Sequence, residues 1–173
     1  MRRSLLLAAL AAALFLLPLS APAATGLSAK GAFTLLRTVA PGDTLESAAG
    51  FLGAHASERT VDEKEKLRIR RWGKPGEAWF FEALHDGAQV RATRIIWATA
   101  AKREQQVIFS QLTSEGKKFF GKSAKFNGLQ EASWTDAGDK LLVRARLNPG
   151  AEEGVTLLTG IRDAKMGSEK YGF

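Results

Sequence analysis

The chain has 173 residues, a formal charge of +7 and no cysteine. That length holds one domain or two small ones with a modest core. The missing thiol excludes disulfides, a cysteine nucleophile and a lipid-anchor cysteine, and the two histidines, His55 and His85, lie far apart with no metal-ligand spacing around either.

Met-Arg-Arg-Ser leads into an apolar run over residues 5–17, then Pro18, Ser20 and Ala21-Pro-Ala23. A charged start, a short apolar core and a small-residue cleavage site form the pattern of a secretory signal peptide over residues 1–23. The run is too short to span a bilayer comfortably. The expected product is therefore periplasmic or secreted, and nucleic acid is not an expected partner. An exported basic protein meets anionic lipid surfaces and cell-wall polymers such as peptidoglycan. Acids and bases alternate over residues 61–71, so the charge also reads as a solvated coat.

Residues 31–39 (GAFTLLRTV) read as a strand, although Phe33, Leu35 and Leu36 also suit a helical turn. Pro41-Gly-Asp43-Thr-Leu-Glu46 predicts a capped helix, Asp43 holding its first amides and Glu46 reaching back. Leu45, Ala48, Ala49 and Leu52 share one helical face, and Gly53 ends the helix. Residues 54–65 are polar and aperiodic, hence a loop. Residues 67–72 alternate as a strand.

A hairpin over residues 77–97 is expected around Asp86-Gly87. A two-residue turn there pairs His85 with Ala88, Ala83 with Val90, Phe81 with Ala92, Trp79 with Arg94 and Glu82 with Arg91. Trp79, Phe81, Ala83, Val90 and Ala92 then share a dry face. Residues 104–110 (EQQVIFS) are expected to return as a strand. Residues 111–126 suit a second amphipathic helix, weakened by Gly116 and Gly121. A second hairpin over residues 131–147 pairs Trp134 with Leu141, Ala132 with Val143 and Glu131 with Arg144. Residues 155–162 form a last strand and residues 163–173 a loose tail.

The expected fold class is α+β: short helices packed on an antiparallel β-meander sheet, with residues 24–110 and 111–173 as two helix-plus-sheet units. Phe51-Leu-Gly53 and Phe119-Phe-Gly121, Glu77-Ala and Glu131-Ala, then Val90-Arg-Ala92 and Val143-Arg-Ala145 recur in one order. This reads either as a tandem duplication or as chance recurrence of common β residues.

Gly42-x-Thr44, a helix, Leu52-Gly53 and the later Trp-Phe-Phe strand and its return resemble the SmpA/OmlA outer-membrane assembly lipoproteins. The stretch is also similar to the β-lactamase-inhibitor-protein fold, in which a helix–sheet unit occurs twice. The resemblance covers residues 39–99, and more faintly 111–162, and implies a helix-on-sheet fold with a role in envelope assembly. It departs in lacking the anchor cysteine and in having Ala54 where those proteins usually carry proline. Thr38-Val-Ala-Pro-Gly-Asp-Thr-Leu, with Ala48, also looks like the start of a LysM peptidoglycan-binding module. Such a module would continue with a second short helix containing an asparagine, which residues 54–71 do not supply.

No G-x-S-x-G or P-loop occurs. Glu152-Glu153 falls in a turn, and Glu82 and Glu131 face arginines in the expected registers, which suits them poorly to general acid work. No catalytic, metal or cofactor-binding residue is assigned, and the chain is expected not to be an enzyme. Tryptophan and arginine anchor protein interfaces, so Arg70, Trp72, Arg91, Arg94 and Trp97 are the candidate partner-binding surface, with Trp79, Phe81 and Trp134 as core. Tyr171-Gly-Phe173 matches the terminal aromatic of small outer-membrane barrels, but Lys165, Gly167 and Glu169 occupy positions that should be apolar there. The reading is an exported, non-catalytic binding module whose partner is an envelope protein. The alternatives are a peptidoglycan-binding LysM-like protein and a secreted protein inhibitor.

Overall fold

Ser28 starts the first helix, its side chain accepting the Gly31 amide at 3.1 Å. Helix α1 (Ala29–Thr38) buries Ala32, Phe33 and Leu36, the spacing of one helical face, so the expected strand at residues 31–39 is a helix. Helix α2 (Leu45–Leu52) follows, with Thr44 rather than Asp43 as its cap, accepting from the Ser47 amide at 3.1 Å. Asp43 instead turns back onto the Ala40 amide at 2.8 Å. Gly53, at φ 78°, ends the helix.

The computed structural model describes residues 26–73, 78–98, 101–136, 138, 140–147, 155–167, 171 and 173. The expected signal peptide, most of the 73–76 turn, the turn at residues 148–150 and Glu152-Glu153 lie outside them. Strands β1 (Ser57–Asp62), β2 (Leu67–Trp72), β3 (Trp79–His85) and β4 (Val90–Ala98) form one antiparallel meander. Helix α3 (Lys102–Phe120) then leads into a second, β5 (Lys125–Asn127), β6 (Glu131–Asp136), β7 (Leu141–Leu147) and β8 (Val155–Ile161). A 3-10 turn, Ala164–Gly167, follows. All eight strands make one open sheet in the order β1-β2-β3-β4-β8-β7-β6-β5. The fold class is thus α+β, as the sequence predicts, and among the described residues no helix is long and apolar enough to cross a membrane.

Two expectations change here. Residues 57–62, read as loop, are the edge strand β1. Residues 104–110, read as strand, open the long helix α3. The two halves share an order of helix and four-stranded meander, and their last strands join antiparallel from Ala92↔Ile161 to Ala98↔Val155. The helices that end at Gly53 and Gly121 stand at the same point in that order, each directly before its meander. The two Val-Arg-Ala strings do not: they fall on β4 and β7, whereas the topological partner of β4 is β8.

The first hairpin also differs from its expected register. Its pairs are Trp79↔Trp97, Phe81↔Ile95, Glu82↔Arg94 and Leu84↔Ala92, then His85↔Val90. Arg91 is the extra residue of a bulge, and the turn takes in Ala88 and Gln89. Relative to the two-residue turn the register moves by an odd number, which exchanges the faces of β4. Ile95 and Trp97 therefore join Phe81, and Ala92 crosses to the other side. In the second hairpin Trp134 faces Val143 and Ala132 faces Ala145, an even displacement that preserves the faces.

One face of the sheet lies under the helices. Across it runs the row Trp72, Phe81, Ile95, Leu158, Ala145 and Ala132, all buried with Phe33, Leu36, Leu112 and Trp134 in the main core. Gly116 lets α3 close on the sheet: a Cβ there would stand 2.4 Å from Cζ2 of Trp134.

Candidate ligand-binding face

The opposite face carries a different row. Ser57, Arg71, Glu82, Arg94, Thr159, Arg144, Ser133 and Lys125 lie opposite one another in turn, one residue from every strand. Beside it runs an apolar row, Ile69, Leu84, Ala92, Ile161 and Leu142. Strand alternation places both rows on one side.

Glu82 is the centre of the polar row and is 1% exposed. Its Oε1 accepts from Arg71 Nε at 2.7 Å and its Oε2 from Arg94 Nε at 2.7 Å, with the Nη2 atoms at 2.6 and 2.5 Å. A buried carboxylate is tolerable only when paired and hydrogen-bonded, and the two guanidiniums supply both. The Arg71 guanidinium also lies 5.0 Å from the Phe80 ring centroid. Phe173 sits on this row: its ring is 4.5 Å from Arg94 Cζ, and its backbone oxygen accepts from Arg144 Nη2 at 3.0 Å. Tyr171 donates its hydroxyl to Asp62 Oδ2 at 3.1 Å. Together with Met166, these two aromatics roof Leu67, Ile69, Leu84, Ala92 and Ile161, a second apolar cluster. Residues 163–173 were expected to be loose, but Met166, Tyr171 and Phe173 are buried.

No match to this chain is found among protein-family models, curated proteins or solved structures.

The five residues expected to form one partner surface are dispersed. Trp72 and Trp97 are buried in the main core beneath the helices, Trp72 donating its indole N–H to the Gly53 carbonyl at 3.1 Å. Arg70 sits on that side too, bound to Glu58 at 2.6 Å. Arg91 is exposed at the bulge and clasps Asp86. Arg94 alone of the five belongs to the polar row of the opposite face. Trp79, expected in the core, is only half-buried, whereas Phe81 and Trp134 are buried. Arg71, Thr159, Arg144, Tyr171 and Phe173 stand outside the expected surface; for the two arginines, an odd or even register decides which face each reaches.

His85 is buried beside the Asp86 turn, as its position suggests. Its Nδ1 accepts the Gly87 amide at 3.1 Å and its Nε2 lies 3.2 Å from Glu58 Oε2. Burial lowers its pKa, outweighing the attraction of Glu58, with Arg70 and Arg68 adding to the lowering. The Glu58 carboxyl, which burial would raise, is lowered by the hydrogen bond and charge of Arg70, by His85 and by Arg68. An imidazole with a lowered pKa, its Nδ1 accepting from a backbone amide and its Nε2 beside Glu58, suits a structural strut better than proton transfer.

A separate opening of about 260 Å³ lies where the ends of α1 and α3 meet β6, lined by Arg37, Phe119, Phe120, Lys122, Thr135 and Asp136. Arg37 lies over Phe119, and Lys122 donates to the Thr135 carbonyl.

Proposed function

We propose that this chain is an exported, non-catalytic binding module that holds a segment of a cell-envelope protein against the open face of its sheet, in envelope assembly or maintenance. One observation carries the reading: the two faces of a single sheet are treated differently. Helices seal one with aromatic and aliphatic side chains. Among the described residues, the other carries arginines already oriented by a buried glutamate, beside an apolar row covered by Met166 of the 3-10 turn and by Tyr171 and Phe173. Fixed cations around an apolar seat that aromatic rings fill match the anchors of protein interfaces. The signal-peptide pattern at residues 1–23 supplies the address. In place of the second short helix of a LysM module, the chain continues into the edge strand β1, which favours this reading over peptidoglycan binding through residues 41–52.

The test uses Arg59 and Lys125, exposed on the same face near its two edges. The processed chain, immobilised and exposed to detergent-solubilised envelope, should retain a discrete protein that moderate salt releases. Arg59→Glu with Lys125→Glu should abolish that retention while leaving the thermal transition unchanged. Retention unaffected by this charge reversal, or sedimentation with insoluble peptidoglycan that survives high salt, counts against the proposal.

A further inference from the structure

The contacts of Tyr171 and Phe173 describe a receptor site as well as a piece of core. Glu82 fixes Arg94 and Arg71 from within the sheet, so the seat does not depend on what sits in it, and preorganised groups of this kind lower the cost of binding. The occupant is held by a ring over a guanidinium, a backbone oxygen on Arg144 and a phenol on Asp62. None of these contacts needs residues 171 and 173 to be covalently joined to β8. The fit is also incomplete. Thr159, between Arg94 and Arg144 in the row, is wholly buried, and its hydroxyl has no hydrogen-bond partner among the described residues. Such a group forfeits a bond that another occupant could make. Removal of the segment uncovers Leu67, Ile69, Leu84, Ala92 and Ile161, so whatever replaces it must itself be apolar or aromatic.

We infer that the Tyr171/Phe173 segment is a resident pseudo-ligand, and that the seat on Arg94 and Arg144 receives an aromatic-x-aromatic peptide segment of the partner protein by exchange. This rests on the proposed use of the open face. A tethered occupant competes at an effective concentration in the millimolar range, so the resident segment sets a threshold that only a well-matched partner passes.

The probe is the synthetic peptide Gly-Ser-Glu-Lys-Tyr-Gly-Phe, copied from residues 167–173. It should bind the full chain carrying Tyr171→Ala and Phe173→Ala about tenfold or more tightly than the unchanged chain, as expected when a tethered competitor is removed. A peptide with alanine in place of its phenylalanine should lose that gain. In the unchanged chain, excess peptide should raise deuterium uptake within residues 164–173 while β3, β4 and β8 stay protected. Equal weak binding by both chains, or tail uptake indifferent to the peptide, overturns the inference. The uptake measurement also decides the matter if the double variant does not fold. A concentration-dependent dimer that the peptide dissolves would make a second copy the occupant and overturn the assignment to a partner. Salt-sensitive envelope retention without peptide exchange sinks this inference alone, and exchange without that retention sinks the binding proposal alone.

Discussion

At the scale of single residues, the sheet is decided by fit against Trp134 and by charge at the turn. Alanine normally improves a helix over glycine by about 1 kcal/mol. At Gly116 the added methyl would meet the Trp134 ring at 2.4 to 2.8 Å, and overpacking of a filled core costs about 1–3 kcal/mol. Gly116→Ala is therefore expected to lower stability in urea unfolding, against the helix-propensity trend. Trp97→Ala should cost about 3–5 kcal/mol, as removal of a buried aromatic does. Trp79→Ala should cost less, because Trp79 is only partly buried at the margin of the main core.

Asp86 carries the acid side of the stability profile. Burial would raise its carboxyl, but the amides of Gln89 and Ala88 and the Arg91 guanidinium bring it down to about 2. The unfolded chain takes up that proton near pH 4 and the native chain only near 2, so this contribution is complete at neutral pH and declines as pH falls through that interval. In Asp86→Asn the midpoint of urea unfolding should change less between about pH 4 and about 2, the window those two values bound. His85 works in the same direction at higher pH. Its lowered pKa means the unfolded state binds a proton first, so stability is lost as pH drops below about 6.5. A His85→Gln variant that keeps the full slope there would contradict this placement.

At the scale of elements, strongly patterned or punctuated segments were legible and polar ones were not. The capped α2, the strand over residues 67–72 and both hairpins were evident because cap residues, alternation and turn glycines each carry a local cause. Strand β1 was invisible because SERTVD lies at a mostly solvent-exposed edge, where no apolar alternation is required. The start of α3 resembles a strand in sequence because Val107, Ile108 and Phe109 favour strands. Burial of Gln105, Phe109 and Leu112 at helical spacing prevails. Faces proved harder than elements. One bulged residue, Arg91, places Ile95 and Trp97 under the helices and Arg94 on the opposite face, which separates two of the residues expected to share a partner surface. The buried Glu82 was foreseen with an arginine partner, but the partners are Arg71 and Arg94. Glu82→Ala should cost about 3–5 kcal/mol by leaving two guanidiniums without their shared carboxylate, as read from chemical denaturation at pH 7.

At the scale of the whole molecule, two meanders share one sheet through β4 and β8, and α1 packs against α3 above the join. Neither half therefore has a core of its own to keep when the other melts. Calorimetry should show one transition with equal van't Hoff and calorimetric enthalpies. Two resolved transitions would mean that the halves are energetically separate. The recurring order of helix and four strands supplies the geometry of that join, because each half ends on the strand the other needs.

The same join has a consequence for the divided chain. A fragment of residues 26–98 would bare the inner border of β4, and one of residues 101–173 that of β8, each an unpaired backbone ladder flanked by side chains that want cover. Kept apart, the pieces should precipitate or pair with copies of themselves. Mixed from denaturant, they should heal along the seam into a nicked but native sheet, which would make this scaffold a natural candidate for splitting into two self-completing parts.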